Sequence, residues 1–302
     1  MIHSLIHVGC KALTRAVLSS MDKGRVKDGK HLYIYRAHVT PTSNSIDSQD
    51  LPTFRADMAR AEETEEELGW NTGYQLSFSL DQFAEEVGNH VNKVQDPYES
   101  IFLSTSPDLE WTVHRTGQKE RDSLGTAGLA IFSVEAIHKI PGAKLLPVER
   151  VLTYLDAHGK GHHISNTCRT WAGNCQEHLS MNYLPREALV NWIPWADLVS
   201  PSPTNRLLLP KFSYWYTLGI FRKQHSPVVI DVKDYVARVV SFARTLGGGE
   251  RVKTYEFMEL IVAASDWGYY GSWTEIDVLQ LAKGVINPFS LEDGLASLAL
   301  GS

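Results

Sequence analysis

The chain has 302 residues, 43% hydrophobic and 21% charged, which is enough apolar material for a sizeable core in a soluble globular protein. Its 29 basic and 35 acidic residues leave a net charge of −6, which argues against a broad phosphate-backbone footprint and so against nucleic acid as a partner. Three cysteines are too few for a disulfide framework at this length, and no run of 18 apolar residues offers a membrane span, so a reducing, cytoplasmic setting is expected, with secretion left open.

In chain order, apolar residues at 2, 5, 8, 13, 16 and 17 predict an amphipathic helix, with a transit peptide as the alternative reading of that stretch. HLYIYRAHV (31–39) alternates as a strand does, and the Ser/Thr/Asn/Asp-rich stretch 41–52 reads as a loop. Residues 54–70 predict a helix whose acid run is a solvated face, and 80–94 a second one starting behind Ser79 or Asp81. SIFLSTS (100–106) predicts a strand, with Ser106-Pro107-Asp108 as a helix cap carrying Pro at the first helical position. Residues 128–137 and 144–155 read as strands or short helices, and 156–176 as a long polar loop. EHLSMNYLPREALVNWIPWADLV (177–199) alternates and then turns at Pro185 and Pro194. A linker at 201–206 precedes an aromatic strand over 211–221. Helical periodicity then returns at 231–246, 255–267 and 274–286, with GGG at 247–249 as a hinge. The expected organisation is an N-terminal helix and loop (1–29), a mixed α+β domain (30–222) and a C-terminal helical region (223–302).

The common nucleotide, hydrolase and metalloprotease signatures are absent from the sequence. His158, His162, His163, Cys168, Cys175 and His178 cluster, but their spacing matches no closed zinc site, so no metal is expected. Three other pieces occur in a fixed order. Arg36 ends a strand, Ser104-Thr105-Ser106 ends another, and Glu177 opens a third strand-like segment. Each has a plain alternative: a surface ion pair, a capping motif, a solvated carboxylate.

Taken together, the three resemble the mono-ADP-ribosyltransferases of the cholera-toxin type, which carry a strand Arg, an aromatic-hydrophobic-Ser-Thr-Ser strand and a late catalytic Glu. Tyr35-Arg36-Ala37, Phe102-Leu103-Ser104-Thr105-Ser106, and Glu177 with Leu184-Pro185 downstream carry the likeness over roughly residues 30–200. A fungal-like branch of unknown function has a similar layout. The resemblance implies an ADP-ribosyltransferase-like split β-sheet core with flanking helices and a C-terminal helical appendage. It also implies NAD as substrate and ADP-ribose passed to an unknown acceptor: a protein, a small molecule, or water as in an NAD glycohydrolase. On it, Glu177, Ser104 and Arg36 are catalytic, and Tyr35, Arg36, Ala37, His90, Ser104, Thr105 and Ser106 contact NAD. The loop bearing Arg169, Trp171 and Cys175 faces the acceptor. Cys175 stands two before Glu177, where the family usually has Glu or Gln, and a thiol cannot grip an arginine acceptor as a carboxylate does. Glu187 is an alternative catalytic carboxylate. A non-catalytic binding module, or a biosynthetic enzyme reusing the cleft, are alternative functions.

These residue types suit the chemistry. Breaking the nicotinamide–ribose bond develops an oxocarbenium-like cation, which a nearby carboxylate stabilises. The pyrophosphate and ribose need a forked cation and hydroxyl groups, which Arg36 and Ser104 can supply.

Overall fold

The computed structural model describes residues 32–41, 54, 79–92, 100–122, 125–140, 143–181, 183–198, 232–263 and 275–286. The helix expected near the start of the chain, the loop over 42–52, the helix over 54–70 beyond Phe54, the linker at 201–206 and the strand over 211–221 lie outside these residues.

The fold is mixed α+β. β1 (Tyr33–Pro41), α1 (Leu80–Asn92), β2 (Phe102–Thr105) and α2 (Leu109–Asp122) come first. β3 (Gly125–Ser133) runs into α3 (Val134–Lys139), and β4 (Leu145–Pro147) into α4 (Val148–Ala157). A 3-10 turn (Gly161–His163), α5 (Asn166–Asn174) and β5 (His178–Met181) follow. Then come a second 3-10 turn (Arg186–Ala188), β6 (Leu189–Pro194) and the single turn α6 (Trp195–Leu198). The last described elements are α7 (Val232–Leu246), α8 (Arg251–Ala263) and α9 (Glu275–Ile286). The strands form two three-stranded sheets, ordered β1-β3-β6 and β2-β5-β4. Among the described residues no helix is long and apolar enough to cross a membrane.

Several expectations needed correction. The stretch 156–176 is not a loop, because Ser165 caps α5 by accepting from the Cys168 amide. Ser106 is not the cap of α2. Asp108 takes that place, its carboxylate accepting from the Trp111 amide at 2.8 Å. The two ambiguous stretches each contain a strand and a helix, divided at Ser133, which caps α3, and at Pro147. The middle C-terminal helix starts at Arg251, four residues earlier than its periodicity suggested.

The described residues fall into two compact units. The first holds residues 33–36, α1, the sheet β2-β5-β4, α3, α4 and α5. β5 lies in the middle of that sheet, antiparallel to both neighbours, with Ser104 opposite Leu179 and Pro147 opposite His178. α1 begins with a capping box: the Ser79 hydroxyl accepts from the Gln82 amide, and the Gln82 side chain accepts from the Ser79 amide. Its buried residues Phe83, Ala84, Val87 and Val91 recur on one face, as do Val148, Val151, Leu152 and Leu155 of α4. Both faces join Phe102, Leu179 and Met181 in one core cluster. Each fully buried Val, Leu or Phe side chain among them contributes about 1.5–3 kcal/mol. Gly88 is required here, since a Cβ would come within 2.9 Å of the His163 Cβ.

In the second unit α7, α8 and α9 pack on one another through residues such as Phe242, Phe257 and Val278. Burial pushes the Tyr235 phenol up to about 12. The Asn191 amide donates to the Thr245 and Leu246 carbonyls at 2.9 and 3.2 Å, closing the C-terminal end of α7.

Candidate active site

The side chains of a strand alternate, so Phe102, Ser104 and Ser106 share one face while Leu103 and Thr105 share the other. Residues paired across antiparallel strands share a face as well, which puts Leu179 and Met181 with Ser104 and Phe102. Carrying that register one step further sets Glu177 opposite Ser106, so Glu177 and Ser104 are diagonal neighbours. Their side chains meet: Ser104 Oγ donates to Glu177 Oε1 over 2.5 Å, 73 residues apart in sequence. Glu177 is buried and Ser104 half-buried.

Arg36 and His90 complete the group. The Tyr35 amide donates to the Ser106 carbonyl at 2.7 Å and the Ser106 amide donates back to the Tyr35 carbonyl at 2.9 Å, which pins this part of β1 to the end of β2. Arg36 follows directly, and its Nη1 donates to the Ser104 carbonyl at 2.7 Å. His90 projects from the last turn of α1 with Nε2 2.8 Å from Ser104 Oγ and 3.9 Å from Glu177 Oε1. Its Nδ1 lies 2.5 Å from Ser100 Oγ, and its ring stands edge-on to Phe102. Burial holds the Tyr35 phenol far above its ordinary range, with Tyr33 and Asp108 adding to the shift, so it stays neutral.

The backbone of Glu177 is held on both sides. α5 ends in a Schellman motif, with the Gln176 amide donating to the Gly173 carbonyl at 3.1 Å and the Glu177 amide to the Ala172 carbonyl at 2.9 Å. Gln176 takes the left-handed position of that motif, with φ at 49°. The Glu177 carbonyl accepts from the Val148 amide at 2.9 Å. Thr105 and Ser106 then secure the same turn, donating to the His178 carbonyl at 3.1 Å and the Cys175 carbonyl at 2.5 Å. The Ser-Thr-Ser triplet thus spends one hydroxyl on the carboxylate and two on the backbone around it.

Arg36, His90, Ser104 and Glu177 are therefore gathered, while Tyr35, Thr105 and Ser106 support them through hydrogen bonds. Ala37 is buried in β1. The three residues expected to face an acceptor have partners inside the unit. Arg169 forms a bidentate pair with Asp156 and donates to the Ile164 and Gly161 carbonyls. Trp171 stands edge-on to Trp111 at 5.3 Å, and Cys175 is buried with Sγ 3.5 Å from the Ala172 carbonyl. Glu187 is exposed in a 3-10 turn, so Glu177 is the carboxylate beside Ser104. Among the described residues no group of three His, Cys, Asp or Glu is disposed to hold a metal ion. Sequence reading passed over Ser100 and Gln176. The hydroxyl two residues before Phe102, accepting from the Phe102 amide at 3.0 Å, is the local signal for the first.

A family model described as a domain of unknown function, DUF7587, matches residues 30–198, more than half of the chain. The chain belongs to that family. The matched stretch contains Arg36, His90, Ser104 and Glu177. No curated protein matches the chain.

Proposed function

We propose that this chain cleaves the nicotinamide–ribose bond of NAD on an ADP-ribosyltransferase-like fold. The observation that carries the reading is the convergence of a guanidinium, an imidazole, a hydroxyl and a buried carboxylate on the paired ends of β2 and β5. Glu177 stabilises positive charge at C1′ as the glycosidic bond breaks, and its electron pair leaves on the nicotinamide ring nitrogen, which departs neutral. Ser104 holds the carboxylate and is in reach of a ribose hydroxyl. Arg36 suits the pyrophosphate. The buried Cys175 and the Asp156-bound Arg169 favour water as acceptor over an arginine side chain. Water oxygen then bonds C1′, and its proton passes to solvent.

Nicotinamide release from NAD tests this. Wild type turns over, and Glu177→Gln is slower by about 10²–10³-fold at unchanged fold. Equal rates in the two proteins, or none in either, sink the enzymatic reading. The hydrogen bonding of the four groups to one another favours one second reading, a module that binds NAD without cleaving it. Calorimetry of NAD binding separates the two.

A further inference from the structure

Proton counting around His90 leads beyond these roles. Ser104 has one hydroxyl proton, and it is given to Glu177 Oε1 at 2.5 Å. Towards His90, 2.8 Å away, Ser104 Oγ can therefore only accept, so Nε2 must carry a proton. On the other side of the ring Ser100 Oγ accepts from the Phe102 amide at 3.0 Å. Its own proton has two acceptors in reach, the Phe102 carbonyl at 3.2 Å and His90 Nδ1 at 2.5 Å. In a neutral ring that already carries its proton on Nε2, Nδ1 is bare and takes the Ser100 proton over the shorter contact. The result is a one-way chain of donors from the Phe102 amide through Ser100, His90 and Ser104 to the Glu177 carboxylate. Such chains polarise each link in turn. Ser100 is buried and Glu177 also, which shields both ends from competing water.

We propose that Ser100 is a positioning residue: its hydrogen bond to Nδ1 fixes His90 as the Nε2–H tautomer, which commits the Ser104 proton to Glu177. Without Ser100 the ring can carry its proton on Nδ1 and turn a lone pair towards Ser104. The Ser104 proton then swings to His90, and the carboxylate loses that donor. The effect on turnover rests on the NAD-cleaving reading. The tautomer does not.

The test uses the full chain with ¹⁵N-labelled imidazoles. In wild type at neutral pH the His90 resonances show a protonated Nε2 and a hydrogen-bonded, unprotonated Nδ1. Ser100→Ala mixes the tautomers, while Ser100→Thr, which keeps the hydroxyl, restores the wild-type pattern. Nicotinamide release falls about tenfold in kcat for Ser100→Ala, the worth of one hydrogen bond, with KM for NAD unchanged. A wild-type His90 protonated on Nδ1 overturns the inference even if neither variant folds. So does a Ser100→Ala spectrum with His90 nitrogen shifts unchanged. A wild-type chain that shows the Nε2–H tautomer but releases no nicotinamide defeats the enzymatic reading and leaves the tautomer assignment standing.

Discussion

Ser106 Oγ donates to the carbonyl of Cys175 over 2.5 Å, and both residues are buried. The same oxygen accepts from the Asp108 amide at 2.9 Å, so one hydroxyl joins the end of β2, the entry to α2 and the exit of α5. Ser106→Ala leaves the buried Cys175 carbonyl without that donor and the half-buried Asp108 amide without that acceptor. The expected cost is about 1–3 kcal/mol in urea unfolding, since an unmet buried group costs its full desolvation. A loss below about 0.5 kcal/mol, the level of an ordinary surface substitution, would show that the clamp is idle.

Gln176 occupies a position where helices usually place glycine. A left-handed conformation costs an ordinary L-residue about 1–2 kcal/mol. Gln176→Gly should therefore be neutral or stabilising by up to about 1 kcal/mol, part of the relief being offset by the greater freedom of glycine when unfolded. Gln176→Val should destabilise by more than about 1 kcal/mol, because a β-branched side chain crowds that region most. Thermal unfolding of the two variants reads both signs. The opposite order would remove strain from the account of this turn.

The Arg169–Asp156 pair offers a pH test. The hydrogen bond from Arg169 holds the Asp156 carboxyl below its usual range, with the Arg169 charge adding and burial opposing. A depressed folded value means that the stabilisation is present above the unfolded value, near 4, and is lost as pH falls through the folded one. Asp156 is exposed, so the ion pair itself contributes only a few tenths of a kcal/mol. Arg169 also donates to the Ile164 and Gly161 carbonyls, which Asp156 protonation leaves intact. Arg169→Ala should thus cost about 1–2 kcal/mol at pH 7. The deficit should shrink by only a few tenths of a kcal/mol at pH 3. A deficit that vanishes at pH 3 would make the pair, and not the carbonyl bonds, the source of stability.

Legibility of the fold tracked how far each element buries a periodic apolar face. β1 and β2 announce themselves through YIY and IFL, whose side chains are buried. α7 does so through Val236, Val239, Val240 and Ala243, all inward-facing. α5 was hidden because Ala172 is its one fully buried residue among nine, so the helix depends on the Ser165 cap and on its C-terminal motif. At the candidate site, Arg36, Ser104 and Glu177 were readable from residue type and order. Ser100 and Gln176 were not, because a partner ten residues away across a helix–strand contact, or a positive φ, leaves no mark in composition. The acceptor-facing expectation for Arg169, Trp171 and Cys175 came from the family resemblance, which says nothing about the Asp156, Trp111 and Ala172 partners each of them has.

Glu177 stands where a helix exit meets a strand start, with no intervening slack. Each residue added to or removed from α5 turns its end by about 100°, while the ladder with β2 and β4 stays where it is. A single insertion between Ser165 and Gln176 would therefore aim the carboxylate elsewhere or unzip the strand. An insertion in this stretch keeps the carboxylate's direction only when it comes close to whole helical turns.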